Sequence, residues 1–167
     1  MEENTLLALG ALFREISQKH RQIAGFTYGS LTDVLAALRS DTTFPLLWMQ
    51  VPDLSLEDNG SNYVGGKRMI SFGVLVRLNN LDEGDNTPLE RKKLEAYAQA
   101  ESICLEIYRV LRKWQKTREY TLVGSPQFAA VEGITTGKDV GFMGEMVIEK
   151  MVEFCPDNTQ WKEAIDG

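Results

Sequence analysis

A chain of 167 residues suits one domain that buries roughly two-thirds of its unfolded surface. Its 43% hydrophobic and 25% charged residues exclude a disordered chain, and no apolar run is long enough to cross a bilayer. The net charge of −6 and the single histidine leave neither a basic footprint for gripping nucleic acid nor a ready set of catalytic side chains. Acids stand in MEENTLLALGALF where a secretory signal would carry positive charge, so secretion is not expected. Cys104 and Cys155 are too few for a disulfide framework, and both fall in apolar patterns that bury free thiols.

The first element is a helix over 5–19, with Leu6, Leu9, Leu12, Phe13 and Ile16 on one stripe. A shorter helix follows. Ser30 and Asp33 give it a capping-box-like start, Leu31, Val34, Leu35 and Leu38 an apolar face, and Arg39 a basic end. Phe44 to Val51 reads as a buried strand closed by Pro52. DLSLEDNGSNYVGGKR then reads as a long polar connection with three glycines, a length that tends to mean mobility or function. The clearest strand is MISFGVLVRL. There Ile70, Phe72, Val74, Val76 and Leu78 would face a core, and Met69, Ser71, Gly73, Leu75, Arg77 and Asn79 form a mixed face.

The acidic loop Asp82-Glu83-Gly84-Asp85-Asn86 lies between that strand and the next helix, a common place for catalytic or metal-binding loops. A calcium reading fails on spacing. With Gly84 at the invariant glycine of an EF-hand loop, Glu90 takes the last position, but the first and third fall on Asn79 and Leu81, and Leu81 cannot ligate. A carboxylate pair for acid–base work needs burial to raise one pKa, whereas this turn is polar throughout. Carboxylates ahead of a helix N-terminus favour its dipole, so the loop reads as a helix entry. His20, between Lys19 and Arg21 at the polar end of the first helix, reads as a hydrated side chain rather than a general base. No HExxH, Cys/His cluster or glycine-rich phosphate loop occurs. The expectation is no catalytic residue, no cofactor and no metal.

Thr87 at the N-cap, Pro88 at the first helical position and Glu90 predict a helix running to Trp114 or Gln115. Its polar residues Glu95, Gln99, Ser102, Glu106, Arg109 and Lys113 form one narrow stripe. The apolar remainder must be covered on more than one side, by the sheet and by the N-terminal helices or a neighbouring subunit. Phe72, Val74 and Val76 are expected to meet it through Cys104, Leu105, Tyr108 and Leu111. Tyr120–Val123 and Phe128–Ile134 read as strands, with a turn over Thr136–Asp139. In GFMGEMVIEKMVEF, Met146, Ile148, Val152 and Phe154 alternate with Glu145, Val147, Glu149, Met151 and Glu153. Pro156 ends that strand, and DNTQWKEAIDG could add one helical turn around Trp161.

The order of helices, strand, long loop, long alternating strand, long central helix and closing strands resembles the tail-terminator and neck proteins of long-tailed bacteriophages. The segments that carry the likeness are FPLLWMQV, MISFGVLVRL, LEAYAQAESICLEIYRVLRKW and FAAVEGITTGKDVGFMGEMVIEKMVEF. The pattern spans about residues 5 to 155, and this family is recognised by element order and hydropathy rather than by invariant motifs. The resemblance implies a single α+β domain over 1–167, with 156–167 as a C-terminal tail. It also implies a mainly antiparallel sheet packed against a long central helix and N-terminal helices.

It further implies a virion protein made in the host cytoplasm, with no enzymatic activity and no membrane partner. Six copies would form a ring at the head-proximal end of the tail, terminating the tail tube protein and joining the head connector. DNA would pass through the lumen without specific binding. Val147, Met151, Tyr63 and Trp161 are the candidate subunit contacts. They follow from the mixed face of the last strand, the long loop before the alternating strand, and the tail. The neighbouring classes are a head–tail connector or tail-completion protein of the same virion, and a non-viral α+β binding module or enzyme. A monomer whose own helices cover both faces of the sheet is the competing arrangement.

Overall fold

The computed structural model describes residues 5–30, 32, 34, 42–57, 63–78, 88–132 and 139–153. Helix α1 (Thr5–Lys19) leads into strands β1 (Gly25–Tyr28), β2 (Leu46–Met49), β3 (Asp53–Glu57) and β4 (Tyr63–Arg77). Helix α2 (Leu89–Trp114) precedes strands β5 (Thr121–Glu132) and β6 (Asp139–Glu153). The architecture is α+β, with one six-stranded sheet in the order β1-β2-β4-β6-β5 and with β3 also paired to β4. The sheet is mixed rather than mainly antiparallel. The chain enters it through β1, which lies parallel to β2, whereas the β2–β4, β3–β4, β4–β6 and β5–β6 pairs are antiparallel.

Three expectations change. GFTY forms strand β1, four residues too short to carry a periodic signal. Most of the expected polar connection is sheet, because β3 is a strand and β4 begins at Tyr63, six residues before the alternating run. Gly65, Gly66, Lys67 and Arg68 are held extended by partners on both sides, β3 and β6, a tertiary override of weak β-propensity. The two expected strands after α2 are one strand, β5, whose pairing lapses between Val123 and Gln127. Gly124 sits there at φ +74, a conformation that glycine adopts without penalty, and Pro126 has no N–H to give a ladder.

Both helices pack on one face of the sheet. From α1, Leu9, Leu12, Phe13 and Ile16 enter the main core; from the sheet come Leu47, Met49, Ile70, Phe72, Val74, Val76, Val140, Met146 and Ile148. Helix α2 buries Ala96, Ala100, Ile103, Cys104, Ile107 and Leu111. Ile103 and Ile107 therefore carry the contact that the sequence assigned to Leu105, while Tyr108 packs at the margin. Phe72 is the hub. Its ring lies 5.5 Å from that of Phe13 and 6.4 Å, edge-on, from Phe128, geometries that add to area burial.

The start of α2 also departs from expectation. Pro88 rather than Thr87 occupies the capping position, since the Arg91 and Lys92 N–H groups donate to the Pro88 carbonyl at 3.0 and 3.2 Å. At the other end the Tyr120 hydroxyl donates to the Leu111 carbonyl at 2.6 Å, a second bond on an acceptor that the Gln115 N–H already uses at 3.1 Å. Of the shorter expected helix only Ser30, Thr32 and Val34 are described. Val34 donates its N–H to the Ser30 carbonyl at 2.9 Å and is buried. Leu31, Asp33, Leu35, Leu38 and Arg39 lie outside the described residues, as do the 82–86 loop, the 136–138 turn, Phe154, Cys155 and Trp161.

Candidate interaction surface

The sheet face turned away from the helices holds the candidate site, and alternation along β4 and β6 builds it. Residues 69, 71, 73, 75 and 77 of β4 share that face. The register sets Met69 against Val147, Ser71 against Glu145, Gly73 against Met143 and Arg77 against Asp139. Strand β5 extends the first of these rows by pairing Val123 with Val147, and β3 extends it on the other side by pairing Asp53 with Met69.

One end of this face is closed. Val34, Leu46, Trp48 and Leu75 form a second buried cluster, with Phe44 and Met143 packed against it. Trp48 is fully buried because its ring lies over Gly73, where any Cβ would collide with it. The Arg77 guanidinium stacks on Phe44 at 4.1 Å and bonds the buried Asp139 carboxylate at 3.0 Å, which seals the margin.

The other end is open. Met69 is 52% exposed and Val123 36%, with Val147 half-buried between them. This row of three apolar side chains crosses β4, β6 and β5. It runs between the polar rows Lys67–Glu149–Thr121 and Ser71–Glu145–Gln127. An apolar strip with a polar border is the anatomy of a protein contact rather than of a catalytic cleft.

Val147, the sequence-derived contact residue, lies at the centre of the row. Tyr63 and Met151 lie further along the same ladder, their backbones paired with Glu153 and Gly65. Trp161 lies outside the described residues. Met69 and Val123, which complete the row, were not among the sequence-derived candidates. Alternation placed Met69 on a mixed face, but only the register shows that it meets Val147 and Val123 in one line.

The titratable groups have structural work. His20 is not the hydrated side chain expected. Its side chain is only 14% exposed, Nε2 lies 2.8 Å from Glu106 Oε2, and Nδ1 accepts the Gln22 N–H at 3.2 Å. The acceptor role of Nδ1 leaves Nε2–H to donate to Glu106, which ties the end of α1 to α2. Glu15 takes Lys19 at 2.6 Å and Arg118 at 2.8 Å, and these cations flank the Trp114 ring at 5.6 and 5.4 Å. The Lys19 hydrogen bond, with Arg118 beside it, holds the Glu15 carboxyl below its usual range.

Burial pushes the Cys104 thiol up to about 12, and it donates to the Phe142 carbonyl at 3.3 Å. A thiol so protonated is a poor nucleophile and a poor metal ligand. Among the described residues no three His, Cys, Asp or Glu side chains converge as a metal site, and no helix is long and apolar enough to cross a membrane. No family model matches the chain, and no curated protein is significantly similar to it in sequence.

Proposed function

We propose that this chain is a structural subunit of a closed homomeric ring, six copies in number, at the head-proximal end of a long-tailed phage tail. In this role it ends the tail tube and receives the head connector, while DNA passes through the lumen without specific binding. The element order and hydropathy carry the phage reading, and the number six rests on the likeness alone. The observation that supports association is the uncovered Met69–Val147–Val123 row. The competing monomer arrangement draws on Val34, a helical residue buried against Leu46, Trp48 and Leu75 at the closed end of this face, but among the described residues Met69 and Val123 stay exposed. A strip that meets a different surface of the next copy makes a heterologous contact, and such contacts close into rings when the rotation permits.

Particle images of the assembled tail end provide the test. A ring of identical subunits beneath the head connector is expected. Met69→Lys/Val123→Lys should leave the monomer folded and abolish the ring. Finding this chain as a single copy, or outside virions, would refute the reading, as would an intact ring from the double variant for the contact row.

A further inference from the structure

The charge of this acidic chain is unevenly spread along the sequence, and its acid-free run richest in cations falls at the end of α2. Residues 109–118, RVLRKWQKTR, hold five of the 18 Lys and Arg residues and no acid. Arg109, Arg112 and Lys113 occupy the last two turns of the helix. Lys116 follows where the chain still coils, with the Gln115 N–H donating to the Leu111 carbonyl at 3.1 Å. Steps of three, one and three residues put these four cations on one helical face, and all four are exposed.

None of the four makes an ion pair or a side-chain hydrogen bond with another described residue. At the opposite end of the same helix Arg91 pairs with Glu95 at 3.0 Å. Favourable interaction with the helix dipole accounts for cations in the last turn. It does not account for Arg109–Lys113 and Arg112–Lys116, like charges four residues apart that destabilise a helix.

From this geometry we infer that the α2 end is a sequence-independent contact for the phosphate backbone of duplex DNA. The large apolar side chains that are exposed, among them Leu7, Tyr28, Val51, Leu54, Leu56 and Met69, all lie elsewhere. A cationic face without an apolar centre lacks what a protein interface needs, and it has nothing to insert into a bilayer. It retains what a polyanion needs, a run of unpaired cations. The net charge of −6 hides this face in composition and repels DNA from the remaining surface, so contact is confined to the helix end. The inference stands whether or not the chain forms a ring; in a ring the contacts would repeat around the axis and add avidity.

Binding of the full chain to a fluorescent DNA duplex, followed by anisotropy across a salt series, tests it. The expected slope of log affinity against log salt is about −3 to −4, for four phosphates at roughly −0.9 each. Arg112→Ala/Lys116→Ala should flatten the slope to about −2 and weaken low-salt binding by roughly tenfold or more. It should leave the thermal melt unchanged or raised, since the Arg112–Lys116 like-charge pair is gone while Arg109–Lys113 is untouched. Lys92→Ala/Lys93→Ala, which removes the same charge from the other end of α2, should leave binding unchanged. No binding at low salt, equal loss in both double variants, or tighter binding of poly-glutamate or phosphatidylglycerol vesicles than of DNA would each overturn the proposal.

Discussion

The two ends of the β4–β6 ladder use the same strands and one continuous register, but their burial differs sharply. At one end residues 70–76 of β4 are all buried, on both faces. At the other, Met69 stands half in water and Lys67 and Arg68 are half-buried. The difference comes from the neighbours. Strand β2 supplies Leu46 and Trp48 to the face away from the helices, and Val34 and Phe44 lie against them. Strand β3 places Asp53 and Ser55 along the open end, and short polar side chains bury nothing. Regular pairing thus shapes the backbone without deciding what becomes core; that depends on which segments are near enough to cover each face.

The sharpest way to break this comparison is at the closed end. Phe72→Ala should cost on the order of 3–5 kcal/mol, the usual range for deleting a buried aromatic ring, measured by urea unfolding. A loss below about 1 kcal/mol would mean that the site collapses easily and that the core lies elsewhere. Gly73→Ala should cost roughly 1–3 kcal/mol by overpacking, because its Cβ would meet the Trp48 ring and the Phe142 carbonyl. A silent Gly73→Ala would mean that the Trp48 ring shifts aside at little cost and that glycine is not required there.

An alkaline titration sharpens the same contrast. Cys104 and Tyr120 ordinarily ionise near 9.0 and 10.0, and burial raises both to about 12. Between those limits the folded chain keeps protons that the unfolded chain has released, so stability should fall as pH rises through the window. The urea midpoint should decline steadily from about pH 9 upward, and Cys104 should resist thiol reagents at neutral pH until the chain unfolds. Rapid labelling of Cys104 in a Cys155→Ser background would show that the closed end opens readily.

The smallest effect on stability is expected at the open end. Met69→Lys and Val123→Lys should each shift monomer stability by no more than about 0.5 kcal/mol, as is usual for surface sites without special contacts. Their consequence should appear in self-association instead. A large loss of monomer stability would mean that the row is covered within one chain and is no contact surface.

Sequence determined the elements whose burial repeats with the period of the backbone. Helix α1 was legible from Leu9, Leu12, Phe13 and Ile16, α2 from its narrow polar stripe, and the core half of β4 from Ile70, Phe72, Val74 and Val76. The half-buried position of Val147 on the face away from the helices was legible too, since an apolar residue among alternating acids has a weak claim to the core. Tertiary structure decided the rest. The strands β1 and β3 are too short or too polar to announce themselves, and the first residues of β4 are strand only because partners lie on both sides. The alignment of Met69 with Val147 and Val123 is a matter of register, and the exposure of four cations at the end of α2, unpaired among the described residues, is a matter of which carboxylates fold within reach. Periodicity is encoded in each segment alone, whereas register, coverage and charge pairing depend on residues far away in the chain, so only the folded sheet and its helices could set them.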